Sequence, residues 1–341
     1  MITLPKLKTI AAAAGACVAM AVATPASAFV YAVSHLDITN LTLNFHDPNS
    51  VVNSFTFDLT NTATLNGVSS PTQTNHCSGT GFSNNCSAGP LPGVLNAAQA
   101  IAPGGNLVRG EDIYTFATTP EKLAPNTFSR ADSIIRTAEL VTKTPTSTEQ
   151  IAESLLNTSG NAKANAEIQS HTNLTTTATF TGGVVDLNFL ADPDQLAEIG
   201  GTSTGISAQS NMNATFTISL GVDKITFTPT GVGANSDCFV SAGFFAAGVR
   251  CTVSGDTESL NSNPSVGAAG TDSNSFGTAD LPTAFGIHIT GLAAAAYNIA
   301  FNTVTSVSIE AAVPEPGTTG LVGAALAGLA FTTVRRKRKQ S

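Results

Sequence analysis

Period-two alternation constrains this chain more than any other feature of its sequence. Ser54-Phe55-Thr56-Phe57-Asp58-Leu59, Thr177-Ala178-Thr179-Phe180, Val185-Asp186-Leu187-Asn188-Phe189, Ala214-Thr215-Phe216-Thr217-Ile218 and Lys224-Ile225-Thr226-Phe227-Thr228 each carry an apolar side chain at every second position, with polar residues between. Leu36 to Phe45 and Val304 to Ile309 repeat the pattern. Successive side chains of a strand point to opposite faces, so each segment buries one face and wets the other. Clusters of Gly, Asn, Asp and Pro between the segments supply turn residues. The expected fold is mainly β, an antiparallel β-sandwich. No repeat underlies it: Phe180 and Phe216 are 36 residues apart but Phe216 and Phe227 only 11, whereas a solenoid or propeller needs a constant period.

Two stretches depart from the alternation. Ser129 to Leu140 and Glu149 to Asn157 are rich in helix formers, Thr146 and Glu149 have the spacing of a capping box after Pro145, and Ile151 and Leu155 would share a helix face. One or two short helices are therefore expected within the sheet order. The small, polar stretch 160–170 also fits a boundary between two β subdomains.

Charge is sparse and unevenly placed. Only 11% of residues are charged, well under the roughly 25% of ordinary globular chains, which disfavours a disordered acidic tail. Seven of the fifteen cations lie at the two ends, leaving residues 29–313 with eight cations against 22 anions, a net of −14. Such a region cannot neutralise a row of phosphates, so nucleic acid is excluded as a partner.

The ends carry addresses. Lys6 and Lys8 precede an uncharged apolar run from Ile10 to Ala23, and Thr24-Pro25-Ala26-Ser27-Ala28 follows. Small side chains at Ala26 and Ala28 suit signal peptidase, so residues 1–28 read as a signal peptide for the Sec translocon, removed after Ala28. At the other end, Val313-Pro314-Glu315-Pro316-Gly317 precedes an uncharged stretch, 318–334, and then Arg335-Arg336-Lys337-Arg338-Lys339. Seventeen residues at about 1.5 Å each form a transmembrane helix of roughly 26 Å, close to the thickness of a bilayer's hydrocarbon core. The basic cluster 335–339 would hold its end on the cytoplasmic side. Each proline removes a backbone donor and biases its predecessor towards extended chain, so the triplet 314–316 should present itself as a protease substrate does.

This order of parts resembles the PEP-CTERM sorting signal of Gram-negative bacteria, with Pro314, Glu315 and Pro316 as its signature and about 27 residues, 313–339, covered. The resemblance implies recognition by an exosortase, a membrane-embedded cysteine protease-transpeptidase. It would cut at the triplet and release a body held transiently in the inner membrane to the cell surface or the extracellular space. The resulting division is a signal peptide, 1–28, a β-rich exported domain, 29–312, and a sorting signal, 313–341.

Removal of Cys17 with the signal peptide would leave four cysteines, an even number in an exported chain, which favours disulfides. Four thiols permit three connectivities, and the local bridges Cys77–Cys86 and Cys238–Cys251 are the expectation. His76 beside Cys77 lacks the close ligand pairs of a zinc site. Gly201-Thr202-Ser203-Thr204-Gly205 matches the G-x-S-x-G pattern of a nucleophile turn, but Asp192-Pro193-Asp194-Gln195 and Glu198 stand where that motif needs a buried strand, and His288 reads as a strand residue. Asp192 and Asp194 flank Pro193 in an expected loop near Glu198, the type of oxygen cluster that can hold Ca²⁺. Glu111-Asp112 is the most conspicuous acidic pair, yet a chain with no Trp and three Tyr has few platforms for sugar rings. No catalytic residue, cofactor or metal is therefore assigned. The expectation is a non-enzymatic structural protein of the cell surface or biofilm matrix, with exopolysaccharide as a partner; an extracellular hydrolase of polysaccharide or ester and a weak Ca²⁺-dependent adhesion module are the alternatives.

Overall fold

The computed structural model describes residues 29–80, 83–84, 96–105, 116–117, 122, 127–135, 146–157, 164–201, 205–233, 235–276 and 281–311. In chain order the strands are β1 (Phe29–Phe45), β2 (Val51–Leu65), β3 (Val68–Ser69), β4 (Gln73–Thr80), β5 (Ser83–Asn84), β6 (Asn96–Ile101), β7 (Phe128–Ile135), β8 (Thr146–Asn157), β9 (Ala164–Phe180) and β10 (Gly183–Gly200). They continue with β11 (Ile206–Leu220), β12 (Asp223–Phe227), β13 (Cys238–Val240), a five-residue helix α1 (Ala242–Ala246), β14 (Arg250–Val253), β15 (Asn261–Ser262), β16 (Ser265–Val266), β17 (Gly270–Asn274), β18 (Thr283–Leu292) and β19 (Ala295–Ala311).

Two antiparallel sheets form. The first runs β14-β18-β10-β1-β8-β7-β6 with β17 also on β10; the second runs β13-β12-β11-β19-β9-β2-β4-β5, with β15 and β16 on β11 and β3 on β2. β1 and β8 of the first sheet face β19 and β9 of the second, so the layers pack as a sandwich. Among the long strands the chain changes layer from β1 to β2, β8 to β9, β9 to β10, β10 to β11 and β18 to β19, and it also does so from β5 to β6, β13 to β14, β14 to β15 and β16 to β17. Of the stretch 160–170, residues 164–170 belong to β9, which pairs with β2 on one side and β19 on the other, and 160–163 lie outside the described residues.

Alternation decides what goes inside. One half of the interior is rich in phenylalanine: Phe57, Phe189, Phe216, Phe227, Phe285 and Phe301 are buried together, and Phe189 stacks on Phe285 with ring centroids 5.2 Å apart. The other half is built from small residues such as Ala32, Ala152, Ala197 and Ala208. There the sheets come close enough for hydroxyls to cross between them: Ser34 Oγ donates to the Asn211 carbonyl at 2.8 Å and Ser210 Oγ to the Val33 carbonyl at 2.7 Å. These bonds satisfy polar groups that the interior would otherwise strand. Asn66 and Gly67, with φ of 53° and 76°, make the two-residue turn between β2 and β3, where both central positions require positive φ.

The described parts of both expected helices are strands: residues 128–135 and 146–157 form β7 and β8, while 136–140 lie outside the described residues; helical turns occur elsewhere, in α1 and in a 3₁₀ segment, Asn235–Asp237. The i, i+4 pair Ile151 and Leu155 shares a face in a strand as it does in a helix, so that spacing discriminated nothing. Both faces of β7 are buried, which removes the polar/apolar alternation that would have marked it. Asp192-Pro193-Asp194 is likewise no loop: it lies within β10. β10 keeps β1 along one side, but its other neighbour changes from β18, whose first residue Thr283 is opposite Ala191, to β17, whose last residue Asn274 is opposite Gln195. Pro193 falls in that interval, where a residue without an N–H removes no bond from the uncovered side.

The two ends of the described body lie at one pole. Phe29 is opposite Gly200 and Asn157, Ala311 is opposite Ile206 and Ala164, and only residues 201–205 separate Gly200 from Ile206. Phe45 opposite Val185 and Ala295 opposite Phe180 mark the other pole.

Candidate functional site

The first concentration of ionisable groups sits on the outer face of the first sheet. Odd-numbered residues of β8 and of β1 before its bulge at Asn40, and even-numbered residues of β7 and β10, point away from the second sheet, and this outer face is covered by Phe116, Ala117, Lys122 and Phe276. Arg130 and Glu153, opposite one another on β7 and β8, are fully buried and join Nε to Oε2 at 2.9 Å. The second Glu153 oxygen accepts from the Tyr31 hydroxyl at 2.7 Å and from the Ala117 N–H at 3.0 Å. Arg130 also reaches Asp132 at 3.4 Å. Lys122 Nζ is 2.5 Å from Glu198 and lies 4.2 Å from the centre of the Tyr31 ring.

Farther along β1, His35 stands between two carboxylates, Nε2 at 3.3 Å from Glu149 and Nδ1 at 3.4 Å from Asp194. Burial alone would push the imidazolium towards its neutral form, but the hydrogen bonds and charges of Asp194 and Glu149 outweigh it and raise the His35 pKa to about 9. An enclosed imidazolium with both nitrogens facing carboxylates is neither a free base nor a metal ligand at neutral pH. The arrangement neutralises and locks the face. Asp194 and Glu198, expected on a cation-binding loop, instead partner His35 and Lys122 from a strand.

A smaller cluster lies nearer the pole away from the termini. Asp186 accepts from His46 and His288, each at 2.6 Å through a different oxygen. Partial burial would raise the Asp186 carboxyl, yet the two histidines hold it below its ordinary value. His76, beside Cys77, pairs with Asp58 at 2.5 Å. No group of three or more His, Cys, Asp or Glu among the described residues could hold a metal ion.

The outer face of the second sheet is chemically different. Cross-strand register places Lys224, Ser219, Asn298, Thr177 and Ser54 in one row and Thr226, Thr217, Ala300, Thr175 and Thr56 in the next. Ser54 and Thr177 share a hydrogen bond at 2.6 Å, and Thr56 and Thr175 share another. Because Ala300 is short, the two rows leave a groove of about 260 Å³ whose lining contains hydroxyls and an amide but no charged side chain. Phe239, 56% exposed on the edge strand β13, extends the second row beyond Thr226.

Of the residues singled out from sequence, Cys238 and Cys251 are disulfide-bonded and tie β13 to β14 at the edges of the two sheets. Cys77 is disulfide-bonded too, while its expected partner Cys86 is outside the described residues. Ala26, Ala28, Glu111, Asp112, residues 202–204, the triplet 314–316, the stretch 318–334 and the basic cluster 335–339 also lie outside them. No described helix is long and apolar enough to cross a membrane. The Arg130–Glu153 pair escaped sequence reasoning; its signal was a charge inside Ser129-Arg130-Ala131-Asp132 in a body with few cations. The groove's signal was the Thr and Ser set of each alternating segment, which cannot by itself say which strands are neighbours.

Compared with known families, residues 312–338 match the PEP-CTERM protein-sorting motif. No curated protein and no solved structure matches the chain. The chain thus carries a PEP-CTERM sorting motif at its C-terminal region, and the motif marks it as an exported target of an exosortase.

Proposed function

We propose that the protein is a non-enzymatic structural component of the cell surface or biofilm matrix of a Gram-negative bacterium. In this reading the Sec translocon and signal peptidase handle its N-terminus and an exosortase its C-terminus. The carrying observation is the sorting motif at 312–338 on a body whose enclosed ionisable groups are engaged with one another. Mass spectrometry of the extracellular protein tests it. The expected species begins at Phe29, lacks the stretch 318–341 and contains two intramolecular disulfides. Recovery of an intact C-terminus from the culture medium would refute the processing.

The groove on the second sheet favours exopolysaccharide as the partner. A groove lined by hydroxyls and an amide with no charged side chain, continued by an exposed aromatic ring and flanked by Lys224 at its β12 end, forms a strip that offers hydrogen bonds and a stacking surface, which fits a neutral polyhydroxylated chain. From β13 to β2 the strip crosses five strand intervals, roughly 24 Å, enough for several sugar units. In native affinity electrophoresis the purified body should be retarded by hydroxyethyl cellulose, and Ala300→Glu, which sets a charge on the groove floor, should migrate as though no polymer were present. Equal mobility of the wild type with and without polymer would remove this partner.

A further inference from the structure

We infer that the exosortase meets a body already folded against its cutting site, and that the end of β19 must unpair before the tail is cut. This rests on the processing proposed above and adds what limits it. Ala311 is buried and sits in register with Ile206 on one side and Ala164 on the other. Only Ala312 and Val313 separate it from Pro314, at most about 10 Å of extended chain. Thr318, where the expected membrane span starts, is seven residues from Ala311, at most about 25 Å.

The pole from which this tether leaves is broad. At this pole the first sheet is six strands wide, β17-β10-β1-β8-β7-β6, roughly 24 Å, with a second layer beside it. A body that wide, on a leash about as long as its own breadth, lies close against the membrane or the enzyme. A protease that grips extended chain upstream of its cleavage site would reach back past Val313 into Ala311, Glu310 and Ile309. The backbone of those residues is already engaged by two neighbouring strands, and the Ile309 side chain is buried in the second core with Val307 and Ala311. Processing therefore competes with the last pairs of the sheet. Exposing one such isoleucine corresponds to about tenfold or more in rate.

The test is a pulse–chase of the full-length chain in an exosortase-bearing host, with conversion of precursor to product followed by immunoblot. A six-residue Gly-Ser spacer inserted after Ala311 leaves every strand intact and should accelerate conversion by about tenfold or more. A cross-strand cysteine pair, Ala164→Cys with Ala311→Cys, should slow it when oxidised and recover on reduction. The double variant Pro314→Ala, Pro316→Ala should block conversion with or without the spacer. If the spacer leaves the rate unchanged while the proline variant still blocks, unpairing of β19 is not limiting and the inference is overturned. If the proline variant is processed normally, the proposed exosortase reading itself fails.

Discussion

Replacing Glu153 by alanine should reduce the unfolding free energy by about 3–5 kcal/mol. Arg130 and Glu153 have no solvent-accessible side-chain surface, so the substitution takes from a buried guanidinium its carboxylate partner at 2.9 Å, while Asp132 stays 3.4 Å away. It also removes an acceptor of the Tyr31 hydroxyl and one of two acceptors of the Ala117 N–H, whose other is the Tyr31 hydroxyl at 3.2 Å, and these losses add to the change. In a chain of this size the change corresponds to a fall in Tm of roughly 10 °C. Glu198→Ala removes a partner of Lys122 whose side chain is 25% exposed, and should lose no more than about 1 kcal/mol. Replacing both members, Arg130→Met with Glu153→Leu, should recover most of the Glu153→Ala loss, because well-packed apolar residues avoid the unpaired charge. Urea denaturation of the three variants checks this; a Glu153→Ala protein within 1 kcal/mol of wild type would show the pair to be solvated.

The body should also weaken in mild alkali, and His35 sets the window. Its folded pKa of about 9 exceeds the unfolded value of 6.5. The proton is held more tightly in the fold, so the stabilisation is complete below pH 6.5 and disappears as pH rises through 9. Two and a half units correspond to about 3 kcal/mol. The three side chains are at most 13% exposed, so screening takes little from that figure. His35→Gln cannot hold the charge: it should be less stable than wild type at pH 6 and should lack the decline between pH 7 and 10. Denaturation curves at both pH values compare them, and parallel pH profiles for the two proteins would show that Glu149 and Asp194 do not bind an imidazolium.

Much of the sandwich was legible because phenylalanine alternates with threonine where one face of a strand is wet. Phe55, Phe57, Phe216, Phe227 and Phe301 all face the interior. Legibility failed where that contrast vanished. β7 and the inner part of β8 are covered on both sides, so Arg130, Asp132 and Glu153 occupy buried positions and imitate a polar helix face. Asp192-Pro193-Asp194 imitates a turn because the change of neighbour that accommodates Pro193 involves β17 and β18, about eighty to ninety residues farther on. The ion pairs and the groove depend in the same way on strand order, which is long-range information. The sorting motif is the opposite case: a linear signal, complete in itself, at 312–338.

The placement of β19 has a mechanical corollary. Any pull on the tail enters the body at Ala311 and runs along the axis of a strand flanked by β9 and β11 over nearly its whole length. Hydrogen bonds that lie across the direction of load share it and must rupture together, whereas a strand peeled from an edge loses them one after another. A protein hung from this point would resist drag in shear, and its attachment should outlast forces that strip the edge strands β13 and β14 were it not for their disulfide clasp.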